Sequence, residues 1–415
     1  MNYRDWKIWV KSKPWALKWF IILLLLRPII DNLYFLKNIS PFLSPLYIVG
    51  VLTPVLIIWA VVSTPKPYRS KADKYFYAWS VFLLIGTFFV MLFNPSSLEA
   101  LEYLLKLSLP VYIFIFTKRF VRSKTDLNGI LQTFLYSSIF VVLLLGYEVI
   151  FNPINTSESR GFERIQGSFG DVVSYSIYTT MSFFIGCYFF FERRKELSFT
   201  KRLRNVILIG LVVIVALINI HHIASYAIFT AVLLYFLVYN FKTNRGAAMV
   251  IAGLIMALFY IFGQSLIEEK VNPLLEKDVA VYKGKEASSQ LLHGRVGRWQ
   301  KMLDIYTDQG VLPQLFGYPL TFNYAYHFVG VGAHNDFIRI MFLSGYIGLY
   351  TYALLLLVLF KRTKSMRLPQ KFLSRGILII LILYSVSVVP TYYPPFMYIA
   401  MSIFAFICLP KPLYK

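Results

Sequence analysis

Apolar runs of roughly 18 to 25 residues recur along this chain of 415 residues, and each is as long as a helix must be to cross the hydrocarbon layer of a membrane. About twelve can be marked off, near 15–36, 43–62, 75–93, 99–118, 128–151, 172–191, 203–221, 223–241, 246–263, 335–360, 373–391 and 395–410. Backbone in lipid must satisfy its own hydrogen bonds, so the runs predict an all-α polytopic membrane protein. One integral membrane domain over 1–415 is expected, with one large external loop, 264–333, between the ninth and tenth helices. The first run is span-length and carries no small-residue cleavage site, so it is expected to stay as the first helix.

The chain carries a net charge of +22, which in a soluble protein would suggest a nucleic-acid partner. Its distribution argues otherwise. With the N-terminus inside, the tail (Arg4, Lys7, Lys11, Lys13) and alternate loops such as 66–74, 118–124, 193–204 and 361–375 hold most of the cations. These cytoplasmic segments contain 28 of the 42 basic residues and 5 of the 20 acidic ones, a net +23 against −1 for everything else. The excess is what the positive-inside rule expects of a bacterial inner-membrane protein with both termini cytoplasmic. Cys187 and Cys408 lie in separate apolar runs and point to neither a disulfide framework nor a thiolate metal site.

Ionisable residues within such spans are costly and are read first as functional. Arg27 and Asp31 are spaced i, i+4 in the outer half of the first span, as are Glu102 and Lys106 in the fourth, so each pair can neutralise itself on one helix face. Glu148, Arg160, Arg164 and Asp171 fall on the same side, and Asp336 and Arg339 enter the tenth span there. A transporter would place polar groups or helix breaks near the midplane. The polar groups gather instead at the outer surface, which predicts an external cavity.

Three stretches could line it. In Arg160-Gly161-Phe162-Glu163-Arg164-Ile165-Gln166-Gly167-Ser168-Phe169 an arginine precedes a Gly-containing turn and then a membrane helix, with an interfacial anchor as the plainer reading. On a helix over 294–306, Val296, Trp299, Leu303 and Tyr306 would form one apolar arc that includes Arg295, with Arg298 and Lys301 toward water. Arg295 is then the stronger site candidate, against a plain amphipathic interfacial helix. In His334-Asn335-Asp336-Phe337-Ile338-Arg339 a residue able to exchange protons near neutrality opens a membrane helix, although Asn335, Asp336 and Arg339 could equally form a capping cluster. His221 and His222 sit in a tight turn without nearby carboxylates or cysteines and make a poor metal site; His293 and His327 read as loop residues.

In order, Arg295-x-x-x-Trp299, Leu315-Phe316-Gly317-Tyr318, His334-Asn335-Asp336-Phe337-Ile338 and Gly345-Tyr346-Ile347-Gly348-Leu349 resemble the membrane region shared by the bacterial O-antigen polymerase and O-antigen ligase family. Arg164-Ile165-Gln166-Gly167-Ser168-Phe169 and Arg27-Pro28-Ile29-Ile30-Asp31 look like family features as well. There is one departure. Where many members place a Ser-Arg pair after the seventh-to-eighth turn, this chain has Ala224-Ser225-Tyr226.

The resemblance implies metal-independent, cofactor-free glycosyl transfer at the outer face of the cytoplasmic membrane, from a polyprenyl-diphosphate-linked glycan. It gives Arg164 and Arg295 the charge that grows on the leaving diphosphate, since a guanidinium donates two hydrogen bonds to such oxygens. It makes His334 the base, or the group that positions the acceptor hydroxyl. Arg160, Arg298, Lys106 and Asn335 become further contacts to diphosphate or glycan, Asp336 and Arg339 support, and the pairs on spans one and four wall or contact. A polymerase extends another lipid-linked repeat unit, with a flippase and a chain-length regulator as partners. A ligase transfers to a lipid A core. The polymerase is favoured because the segment 334–339 looks closer to polymerase members, and a lipid-linked glycan flippase is the alternative from another class.

Overall fold

The computed structural model describes residues 3–65, 67, 69–92, 97–151, 156–159, 162–317 and 334–410. Among these the chain is almost wholly helical. A short helix α1 (Tyr3–Lys11) leads into α2 (Trp15–Asn32), α3 (Pro45–Ser63), α4 (Asp73–Leu92), α5 (Ser97–Phe120) and α6 (Lys124–Ile150). A two-stranded antiparallel hairpin, β1 (Thr156–Ser159) and β2 (Phe162–Ile165), precedes α7 (Val172–Glu192), α8 (Phe199–Ile220), α9 (Ile223–Thr243) and α10 (Arg245–Leu266). Then come α11 (Asn272–Tyr282), α12 (Leu291–Thr307) and α13 (Val311–Phe316), followed by α14 (Asp336–Arg362), α15 (Leu368–Ser387) and α16 (Pro394–Ile407).

Every expected apolar run coincides with a helix, and eight of these helices are long and apolar enough to cross a membrane. The protein is therefore an all-α, multi-pass membrane protein. Among the others, α2 carries Lys18, Arg27 and Asp31, and α16 has only 14 residues.

Burial sorts the helices. In α7 every residue from Tyr175 to Phe191 is buried, and in α16 every residue from Pro395 to Ile407 is, so these two form the centre. A helix that is apolar all round belongs in such an interior. By contrast α3 buries only Thr53, Ile57 and Ala60 and turns Val55, Ile58, Trp59 and Val62 outward, the surface that lipid would cover.

Hydrogen bonds and ion pairs tie one set of helix ends together. Lys13 pairs with Asp126 at 2.7 Å, Lys118 with Asp73 at 3.0 Å and Lys124 with Glu192 at 2.6 Å, while Arg119 donates to the Thr64 carbonyl at 2.7 Å. We call this the basic end. The hairpin, the starts of α7, α9 and α14 and the segment 291–317 gather at the opposite end.

Two features there go beyond the sequence expectation. Arg164, ahead of the Gly167 turn, sits on a hairpin strand, paired in register with Ser157. The helix α14 is interrupted at Gly345, which adopts φ 70° and ψ −175°, a conformation that only glycine takes without strain. A Cβ there would collide with the Leu315 carbonyl, so α13 packs directly into the break.

Candidate functional site

Asn335 starts α14. Its side-chain oxygen accepts from the backbone N–H groups of Phe337 and Ile338 at 3.0 and 3.1 Å, which satisfies two of the donors that a helix start leaves bare. Its amide also reaches the Val386 carbonyl at 3.5 Å, near the C-terminus of α15. The next residue, Asp336, is fully buried and receives Arg339 Nε at 2.6 Å and the Thr391 hydroxyl at 2.9 and 3.0 Å. Arg339 also donates to Thr391 at 2.8 Å and lies over the Tyr392 ring, 4.8 Å from its centroid. Such a hydrogen-bonded buried pair fixes geometry more than it adds stability. Asn335, expected to contact substrate, is thus occupied in capping α14 and bonding α15, while Asp336 and Arg339, expected as support, seat α14 on the 390–392 turn.

With its neighbour anchored in this way, His334 takes a left-handed backbone (φ 47°) and remains exposed just outside the helix. Arg295 reaches the same place from α12, its Nη1 donating to the Ser387 carbonyl at 2.9 Å. Asn335 and Arg295 therefore grip successive carbonyls at the end of α15, which brings Arg295 beside His334. Partial desolvation first, then the charges of Arg295 and Arg298, push the His334 imidazole down to about 4, with Asp171 pulling the other way. Asp171 caps α7 by accepting from Ser174 N at 2.8 Å. The histidine is neutral at physiological pH and able to accept a proton.

The phase of α12 differs from the sequence reading. Met302 and Tyr306 are fully buried, Tyr306 against Phe342 with ring centroids 5.0 Å apart, while Leu303 is 40% exposed. The buried arc is rotated toward Met302, one turn beyond Arg298. Arg298 is consequently half-buried rather than turned to water, its guanidinium destabilised by desolvation, and it joins Arg295 in acting on His334. Lys301 is exposed, as expected.

Arg164 is 9% exposed and stands a few residues before Asp171, beside the 221–222 turn. Phe162 of the same strand stacks on His221, 4.7 Å between centroids, and burial together with Lys270 and Arg164 lowers the His221 pKa. Just after the 221–222 turn, Ser225 bonds His222 Nδ1 at 2.6 Å and continues through Ser176 to Tyr384, which donates to Thr180 at 3.2 Å. This buried chain of hydroxyls links α9, α7 and α15. Sequence reasoning passed over it because its members are single serines and a tyrosine spread over three helices.

Arg27 and Asp31 pair at 2.6 Å deep in the bundle, near Tyr398, whose ring centroid is 6.0 Å away. Lys106 is exposed on α5, while Arg160 and the Glu102 side chain lie outside the described residues. The structure thus collects Arg295, Arg298 and His334 with Asp171, and leaves Arg27, Asp31 and Lys106 elsewhere on other helices. Among the described residues no group of three or more His, Cys, Asp or Glu could hold a metal. No family model matches the chain, and no curated protein matches it.

Proposed function

We propose that the protein is a bacterial polysaccharide polymerase that joins lipid-linked repeat units by glycosyl transfer at the outer face of the cytoplasmic membrane. The observation that carries this reading is a neutral, exposed histidine held beside two arginines at the end of a helix bundle. In the reaction the sugar–phosphate bond breaks and the diphosphate leaves with growing negative charge. Arg295 and Arg298, with Arg164 from the hairpin, stabilise it as preorganised donors. His334 takes the proton of the acceptor hydroxyl as the new glycosidic bond forms. Binding of the diphosphate offsets the two arginine charges and so strengthens His334 as a base.

Twelve crossings with the basic end inside complete the proposal, because the loops at that end hold the cations that the positive-inside rule assigns to the cytoplasm. A cysteine at Ser288 is expected to react with a membrane-impermeant reagent in spheroplasts, and one at Lys195 to stay protected. The reverse pattern would overturn the orientation.

The activity itself is tested with purified protein, polyprenyl-diphosphate-linked repeat units and no added divalent metal. A ladder of longer lipid-linked glycans is expected. Transfer onto lipid A core alone would make the protein a ligase, and movement of lipid-linked glycan across vesicles without transfer would make it a flippase.

A further inference from the structure

At the basic end, the last turns of α7 and α9 and the first turns of α8 and α15 leave a cleft of about 200 Å³, lined by Phe190, Arg194, Phe199, Arg202, Asn240 and Leu368 among others. Two of these side chains are nearly sealed, Arg202 at 9% exposure and Asn240 at 1%. Arg202 is held in place by donating from Nη1 to the Phe190 carbonyl at 2.7 Å and by lying over the Phe190 ring, 4.7 Å from its centroid. Its Nε and the Asn240 Nδ2 are buried without a hydrogen-bond partner among the described residues.

A buried donor left unmatched is costly, and two in one cleft ask for a ligand that accepts from both. The surroundings fix its charge. Arg194 adds a second guanidinium, and the N-termini of α8 and α15 contribute partial positive charge. Of the two carboxylates on this stretch of chain, Glu192 is engaged by Lys124 at 2.6 Å and by the Asn128 amide at 3.3 Å, and Glu196 is exposed to solvent. Size narrows the ligand further, since a drug-sized molecule needs roughly 300–1,000 Å³. The neighbouring surface of α9 presents Leu234, Val238 and Phe241, an apolar face along which acyl chains can lie. Basic pockets between membrane helices are suited to anionic headgroups.

We propose that this cleft binds a phosphate anion carried by the headgroup of an anionic phospholipid. The inference does not depend on the glycosyl-transfer reading.

The test uses the full-length protein in phosphatidylcholine nanodiscs, with phosphatidylglycerol or inorganic phosphate added, read by thermal unfolding and by native mass spectrometry of retained lipid. Phosphatidylglycerol is expected to raise the unfolding midpoint and to remain bound when phosphatidylcholine has been stripped, whereas inorganic phosphate does neither. Asn240→Leu, close to isosteric, should weaken lipid retention on the order of tenfold, the loss of one hydrogen bond to a charged group. Arg202→Gln should remove it. Should Arg202→Gln not fold, Asn240→Leu alone decides, while Lys201→Gln, exposed on the same helix, should bind as wild type does. An equal shift with inorganic phosphate would overturn the lipid source. No shift with either, or an unchanged shift in Asn240→Leu, would overturn the site.

Discussion

The C-termini of α16 and α15 lie at opposite ends of the bundle, and cations meet both. At the end of α16, Lys118 donates to the Cys408 carbonyl at 2.6 Å, and Arg362 to those of Ile407 and Leu409 at 2.9 and 2.6 Å. Lys118 is 2% exposed and is also neutralised by Asp73. At the end of α15 the corresponding cation is Arg295, half-buried, sharing its surroundings with Arg298 and an exposed histidine. Both cations complement the negative end of a helix. The difference is access. At the end of α16 the charges are consumed by carbonyls and a carboxylate, whereas at the end of α15 they border a surface that a ligand can reach. A count of lysines and arginines therefore says which side of a membrane a loop occupies and nothing about which of them do chemistry.

The contrast can be broken by mutation, and the largest effect is expected on stability. Lys118→Met strands the buried carboxylate of Asp73, which should cost about 3–5 kcal/mol in reversible unfolding in detergent. Pairing it with Asp73→Asn should recover much of that loss. A Lys118→Met protein as stable as wild type would mean that the basic end is not held by these contacts.

Next come Arg295→Ala and His334→Ala, each expected to lower polymerisation on the order of a hundredfold while the protein still folds and inserts. Chain-length ladders and turnover measurements would show it. Arg295→Lys should also be poor, because an ammonium keeps the charge and loses the planar two-pronged contact. If both alanine variants turn over normally, the open end carries no chemistry.

The smallest effect expected is that of Arg298→Ala, roughly tenfold in rate, with a distinctive pH signature. Its charge helps to hold His334 down near 4, so wild-type kcat/KM should stay level down to mildly acidic pH and fall toward pH 4 as the imidazole becomes protonated. Removing that charge raises the pKa, and the acidic limb should move to higher pH. An unmoved limb would separate Arg298 from the histidine.

Much of this arrangement was legible before any coordinates. Apolar run length placed the long helices, and i, i+4 and i, i+3 spacing foretold the Arg27–Asp31 and Asp336–Arg339 contacts, both pairs being local to one helix. The capping alternative for the 334–339 segment also described what Asn335 and Asp336 do. What escaped depends on contacts between distant segments. The phase of α12 hinged on whether Met302 or Leu303 faces inward, and only packing against Phe342 decides it. Gly345 read as part of a motif, since nothing local announces that α13 will need the space its missing side chain leaves. The cleft beside Arg202 and Asn240 joins helices far apart in sequence and leaves no pattern to find.

The interruption at Gly345 makes the first stretch of α14 a lever arm. His334 lies eleven positions before it, about 16 Å at 1.5 Å per residue, so a tilt of roughly 10° at the glycine displaces the histidine by close to 3 Å. In the proposed reaction that is the difference between touching an acceptor hydroxyl and missing it. Because α13 fills the notch, the angle at this one glycine ties the placement of His334 to that of α13.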